Sequence, residues 1–161
     1  MGRAVLADEQ RTWVYGGFGV RLVAYLVDLL WIVPLSGLLY WLGYGSEMMD
    51  PESPTRPFTE LLVNLAAAAI VVAFWVKRQA TPGKMLMGLR IVDASSGGPV
   101  PLGRYVVRYL GYILSGLILM LGYLWIIWDP KRQGWHDKLA GTVVVRYARG
   151  GGVPVSFRSE A

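Results

Sequence analysis

Arg21 and Asp28 stand in a stretch that is otherwise almost wholly apolar, GVRLVAYLVDLLWIVPL, and their types and spacing are the first in the sequence to suggest chemistry. Seven residues are two helical turns, so the two side chains share one helix face about 10 Å apart along the axis. Arg21, near the start of the run, can snorkel to the headgroup zone, and a topology anchor explains it as well as a functional role does. Asp28 has no such escape. A carboxylate within a membrane costs a few kcal/mol and is retained where it faces a protein interior, pairs with a base, or binds an ion or proton. Depth selects its partner. Asn64 lies near the far end of the second apolar run, whereas Arg108, one turn beyond Arg104 in the third, reaches the level of Asp28 with its long side chain. The expected buried network is Asp28 with Arg108, with Arg21 as a candidate third member, and Asp28 is the expected binding group for a small cation or proton. The plainer reading of Arg104 and Arg108 is a basic collar on anionic headgroups.

The second dense stretch is WDPKRQGWHDKLAGTVVV, Trp128 to Val145. Its His136 and Asp137 have the dipeptide of metal phosphohydrolases, but those need further histidine ligands, and the chain has one histidine and no cysteine. A hydrolase triad fails for the same reason, since no serine stands in a nucleophile elbow. PGK at Pro82 to Lys84 lacks the upstream glycine and following hydroxyl of a phosphate loop and reads as a turn. The expectation is a protein that is not an enzyme and needs no cofactor or metal. What remains for this stretch is an interfacial role, with Trp125, Trp128 and Trp135 at headgroup level and Lys131, Arg132 and Lys138 on lipid phosphates. His136 beside Asp137 is also a candidate for titration near neutrality.

These residues must be positioned by membrane elements. Of 161 residues, 54% are hydrophobic and 17% charged, too apolar for an ordinary soluble domain. The apolar residues gather into runs from Leu22 to Leu42, Leu61 to Val76 and Tyr105 to Trp128, each near the roughly 20 residues that cross a bilayer. The net charge of +5 is read as topology rather than nucleic-acid binding. Glu47, Asp50, Glu52 and Glu60 lie between the first two runs against Arg56. Lys77, Arg78, Lys84, Arg90 and Arg104 follow the second against Asp93. The first loop is therefore outside and the second inside, with Arg3, Arg11 and Arg21 holding the N-terminus in the cytoplasm.

A single third crossing would carry Lys131, Arg132, Lys138, Arg146 and Arg149 outside, against that bias. Ser115 with Gly116, and Gly122, interrupt the third run, so it is read as a re-entrant helical pair under protein cover. One tilted crossing is the alternative. LRIVD, Leu89 to Asp93, and GTVVVRY, Gly141 to Tyr147, read as two strands of one small cytoplasmic sheet. The expected class is an all-α integral membrane protein with two full spans, the re-entrant pair and this β element. Its parts are a cytoplasmic N-terminal segment 1–17, a membrane domain 18–147 and a flexible tail 148–161.

Arg21 opening the first run, Asp28 in its middle, TPGKMLMGLRIVD after the second and DPKRQGWHDKLAGTVVV after the last together resemble the RDD family of bacterial membrane proteins, named for one arginine and two aspartates. The resemblance covers about Phe18 to Arg146. It implies that Arg21 is the family arginine, Asp28 the first aspartate, and Asp137 the second, with Asp129 as the other candidate and His136 inside the same motif. It also implies a bacterial inner-membrane protein with transport of ions or small ligands suspected. Two functions are carried forward. One is a transporter or channel-like component for a small cation or proton, built as a homo-oligomer because so few helices hardly enclose a pathway. The other is a scaffold or accessory subunit whose Arg/Asp pair is an assembly contact with a membrane partner.

Overall fold

The computed structural model of the chain describes residues 11–50, 52, 54, 56–118, 121–149 and 152–157. Two long helices carry the membrane part. Helix α1, Phe18–Tyr44, follows strand β1, Arg11–Tyr15, and its 27 residues extend about 40 Å. Its interior Pro34 removes one backbone donor, a change that membrane helices tolerate. Helix α2, Pro57–Arg78, starts with proline at its first turn, carries Glu60 there and Lys77 and Arg78 in its last turn, and ends on Gln79 in the left-handed region. That charge order complements the helix dipole. The stretches Phe18–Glu47 and Pro57–Leu86 are long and apolar enough to cross a bilayer.

After α2 the chain turns back on itself. The short helix α3, Pro82–Leu86, lies against α1 so closely that a Cβ on Gly83 would meet the Ala24 carbonyl oxygen at 2.1 Å. Only glycine fits that approach. Strand β2, Leu89–Asp93, follows, then α4, Leu102–Leu117. The third apolar run is broken as the sequence suggests: Leu102–Leu117 and Leu121–Ile127 meet at 113°, with the short helix α5, Leu121–Leu124, opening the second arm. The returning chain forms α6, Trp135–Ala140, which runs back along α4. At the crossing a Cβ on Gly111 would stand 2.8 Å from the His136 Cα. By Ala140 the chain is again beside the start of α4, where Arg104 Nε donates to the Ala140 carbonyl at 2.6 Å. The segment thus comes out where it went in.

Strand β3, Thr142–Arg149, completes an antiparallel sheet of order β1-β3-β2. The two stretches expected to pair do so antiparallel, with Leu89 opposite Arg146 and Asp93 opposite Thr142. The sheet has one strand more than expected, β1, which pairs Trp13 with Tyr147 and brings their rings to 3.6 Å. Leu89, Ile91 and Val144 on the inner face pack with Trp75, Tyr105 and Ala24 of the helices. Val92, Val143 and Val145 face the other way, with Tyr15. Of the segment read as a flexible tail, residues 152–157 run beside β1: Tyr15 donates its N–H to the Val153 carbonyl and Val155 donates to Trp13, both at 3.0 Å. Val155 and Phe157 cover the outer apolar face, which gives this stretch surface to bury. Residues 1–10 of the N-terminal segment and 150, 151 and 158–161 of the tail lie outside the described residues.

Candidate functional site

The buried charges meet where α1, α4 and α6 converge. Arg21, one turn into α1 and 8% exposed, uses all three of its nitrogens. Nε donates to the Gly16 carbonyl at 2.7 Å, one terminal nitrogen to Asp137 at 2.6 Å, and the other to the Arg132 carbonyl at 2.7 Å. Arg108, wholly buried on α4, donates from one terminal nitrogen to the other Asp137 oxygen and to Thr142 Oγ1, and from the second to the Tyr112 hydroxyl at 3.2 Å. Asp137 also caps its own helix by accepting the Gly134 N–H at 3.0 Å. One carboxylate therefore joins two guanidinium groups, leaving one positive charge in excess. Burial alone raises the Asp137 value, but Arg108 and Arg21 outweigh it and hold the group far below the ordinary carboxylate range.

Asp28 has other partners. Its Oδ1 accepts from Trp31 Nε1 at 2.9 Å and from the Gly83 backbone N–H at 2.7 Å, and its Oδ2 accepts from Thr81 Oγ1. The expected pair of Asp28 with Arg108 is thus replaced by two separate arrangements. The reason is α3: by folding back it presents the Gly83 N–H and the Thr81 hydroxyl of a helix start to Asp28, and a carboxylate is favoured at a helix N-terminus. Arg108 turns instead to Asp137, which α6 delivers across 29 residues of sequence.

The two candidates for a second aspartate have different work. Asp137 meets Arg21. Asp129 pairs with Lys138 and accepts the N–H groups of Lys131 at 3.1 Å and Gln133 at 3.0 Å, which closes the turn before α6. Burial raises its value, but the Lys138 ammonium and those donors lower it overall. His136 is 2% exposed, stacked on Tyr112 with ring centroids 4.0 Å apart, and its Nε2 lies 3.5 Å from Asp137. Burial, joined by Arg108, Arg21 and Lys84, outweighs the attraction of Asp137 and pushes it down to about 3. The imidazole is neutral near pH 7, which corrects the reading of His136 as a group titrating near neutrality.

Sequence reasoning missed Thr81, Gly83 and Trp31 around Asp28, and Thr142 and Tyr112 around Arg108. A signal for the first group was available: Thr81 directly before Pro82 is the pattern of a helix start. A third arginine, Arg104, joins the α4 base to Asp93, whose carboxylate also accepts from Ser95 and Ser96. Beside it opens a cleft of about 580 Å³ lined by Asp93, Ser95, Arg104, Lys131 and Phe157. Among the described residues no group of three His, Asp or Glu side chains is placed to hold a metal ion.

The geometry can be set beside known proteins. The RDD family profile matches residues 15–141. Protein YxaI of Bacillus subtilis is 29% identical over 147 residues, 80% of this chain and 95% of that protein. The membrane protein YteJ of the same organism is 31% identical over 143 residues, 85% of this chain and 84% of its own. A proline-rich antigen homolog of Mycobacterium tuberculosis is 33% identical over 105 residues, 63% of this chain and only 44% of that longer relative. No solved structure matches.

Proposed function

The chain belongs to the RDD family of membrane proteins, and from that premise we propose that it is a non-catalytic scaffold or accessory subunit of the bacterial inner membrane whose Arg/Asp network is a structural lock. The observation that carries this reading is that both buried carboxylates already accept hydrogen bonds from donors of the fold. Asp28 accepts three hydrogen bonds from fixed donors, and Asp137 accepts from two guanidinium groups and a backbone N–H. A cation would have to displace these donors. The lock ties α1 to α4 and α6 and, through Thr142, seats the sheet on the membrane domain. It works as a homo-oligomer or with a membrane partner, in a bilayer whose anionic headgroups meet Lys131 and Arg132, and without nucleic acid. The N-terminus is cytoplasmic, on the basic side of the charge distribution.

A second reading keeps the protein as a transporter or channel-like component for a small cation or proton. What favours it is depth: Asp28 lies ten residues into α1, about 15 Å along the axis, and is 3% exposed. Flux into liposomes under an imposed proton or sodium gradient separates the two. The scaffold reading expects no flux from wild type. Flux that a stable Asp28→Asn variant abolishes would overturn it in favour of transport.

A further inference from the structure

Three buried hydrogen-bond donors at the junction of α2, α4 and the sheet have no acceptor among the described residues: Trp75 Nε1, the Tyr105 hydroxyl and Arg108 Nε. Their side chains are 2%, 1% and 0% exposed. They belong to one cluster. The Trp75 and Tyr105 rings lie 6.0 Å apart, and the Arg108 guanidinium carbon is 5.6 Å from the Trp75 ring. Tyr105 and Arg108, three residues apart on α4, share a helix face.

The chemistry of the unfilled positions is one-sided. Arg108 spends one terminal nitrogen on Asp137 and Thr142 and the other on Tyr112, so Nε is the edge of the guanidinium that remains. Trp75 Nε1 can only donate, and so can Arg108 Nε. The neighbouring charge is also unbalanced, because Arg21 and Arg108 share the single carboxylate of Asp137. A cation finds there a single neutral acceptor, the Tyr105 hydroxyl oxygen, in a positive field. Water would satisfy donors but leave the excess charge. A monovalent anion answers both, and the close packing of Leu89, Ile91 and Val144 with Trp75 and Tyr105 favours a small one. We propose that Trp75, Tyr105 and Arg108 form a buried binding site for a small monovalent anion of the halide class. This site goes beyond the scaffold reading and does not depend on it.

The test uses the purified full-length protein in detergent, with chloride as the probe. Melting temperature is followed while sodium chloride replaces sodium gluconate at constant ionic strength. The expected result is a saturable rise with chloride, as for any ligand that binds the folded state alone. Tyr105→Phe removes one hydroxyl and keeps the ring. It is expected to melt no lower than wild type in gluconate, where that hydroxyl has no acceptor, and to need about tenfold more chloride for half the rise. Trp75→Phe is expected to weaken the chloride response likewise. The proposal is overturned if wild type melts alike in both salts, which leaves only water or packing at the cluster. It is equally overturned if the saturable response survives both substitutions unchanged, or if Tyr105→Phe is destabilised in gluconate.

Discussion

At the scale of single residues, the two buried aspartates differ in what their removal leaves behind. Asp137→Asn strips the charge that two guanidinium groups share, and Arg108 has no route to solvent. Breaking such a pair by deleting one partner costs about 3 to 5 kcal/mol. Asp28→Asn leaves no stranded base. It turns an acceptor into an amide that must face the donors Thr81, Gly83 or Trp31, at a cost of about 1 to 3 kcal/mol. Thermal melts in detergent are expected to rank Asp137→Asn well below Asp28→Asn, and the reverse order would remove Asp137 from the centre of the lock.

Acid should act in two stages. The folded value of His136, about 3, lies below its ordinary 6.5, so the unfolded chain takes up that proton first. Its contribution to stability is complete above pH 6.5 and declines as pH falls toward 3, by about 1 kcal/mol per pH unit. Asp137 and Asp129 are held below the carboxylate range, so their contribution is full above about pH 4 and is lost below it. The charged groups that act on the imidazole are Asp137, Arg108, Arg21 and Lys84. A stability profile that is flat from pH 6.5 to about 4, or a slope there that persists in His136→Gln, would contradict this assignment.

At the scale of elements, β3 is the central strand, hydrogen-bonded on both sides. Val144→Pro removes a ladder donor and sets a ring into the face that packs on Trp75 and Tyr105. It should cost roughly 3 kcal/mol or more, and a melting temperature equal to wild type would show that the sheet is not part of the cooperative fold. This sheet was largely legible, because Leu89–Asp93 and the β-branched run after Gly141 have no other use for their composition. Strand β1 was not recognised, since RTWVY sits in a mixed segment and shows its alternation only when paired with Tyr147 and Val145. The site was legible in membership but not in pairing. Counting residues gives the depth of Asp28 and Arg108 along their helices, yet it gives neither their facing nor the position of α3. That short helix decides the matter, because Gly83 lets it touch α1 at Ala24 and places its own N–H on Asp28.

At the scale of the whole molecule, the sheet constrains the topology independently of charge counting. Strand β1 precedes the first long helix, β2 follows the second, and β3 follows the bent pair. Three hydrogen-bonded strands cannot straddle a bilayer, so every one of these junctions lies on one face. The connection between α1 and α2, with Glu47, Asp50 and Glu52, lies at the opposite ends of the long helices. Lys77, Arg78, Lys84, Arg104 and Lys131 are at or near the sheet end, so under the positive-inside rule the proposed orientation has that end facing the cytoplasm. The chain has no cysteine, so single cysteines can report this directly. Replacing Glu52, Lys84 or Lys131 in turn and labelling intact cells with an impermeant maleimide should mark Glu52→Cys alone. Lys84→Cys and Lys131→Cys should react only after the membrane is opened. Labelling of Lys131→Cys but not Lys84→Cys in intact cells would require the third apolar run to cross the bilayer. It would then separate β2 from β3, and the sheet, the Arg104 contacts with Ala140 and the Asp137 lock would fall together.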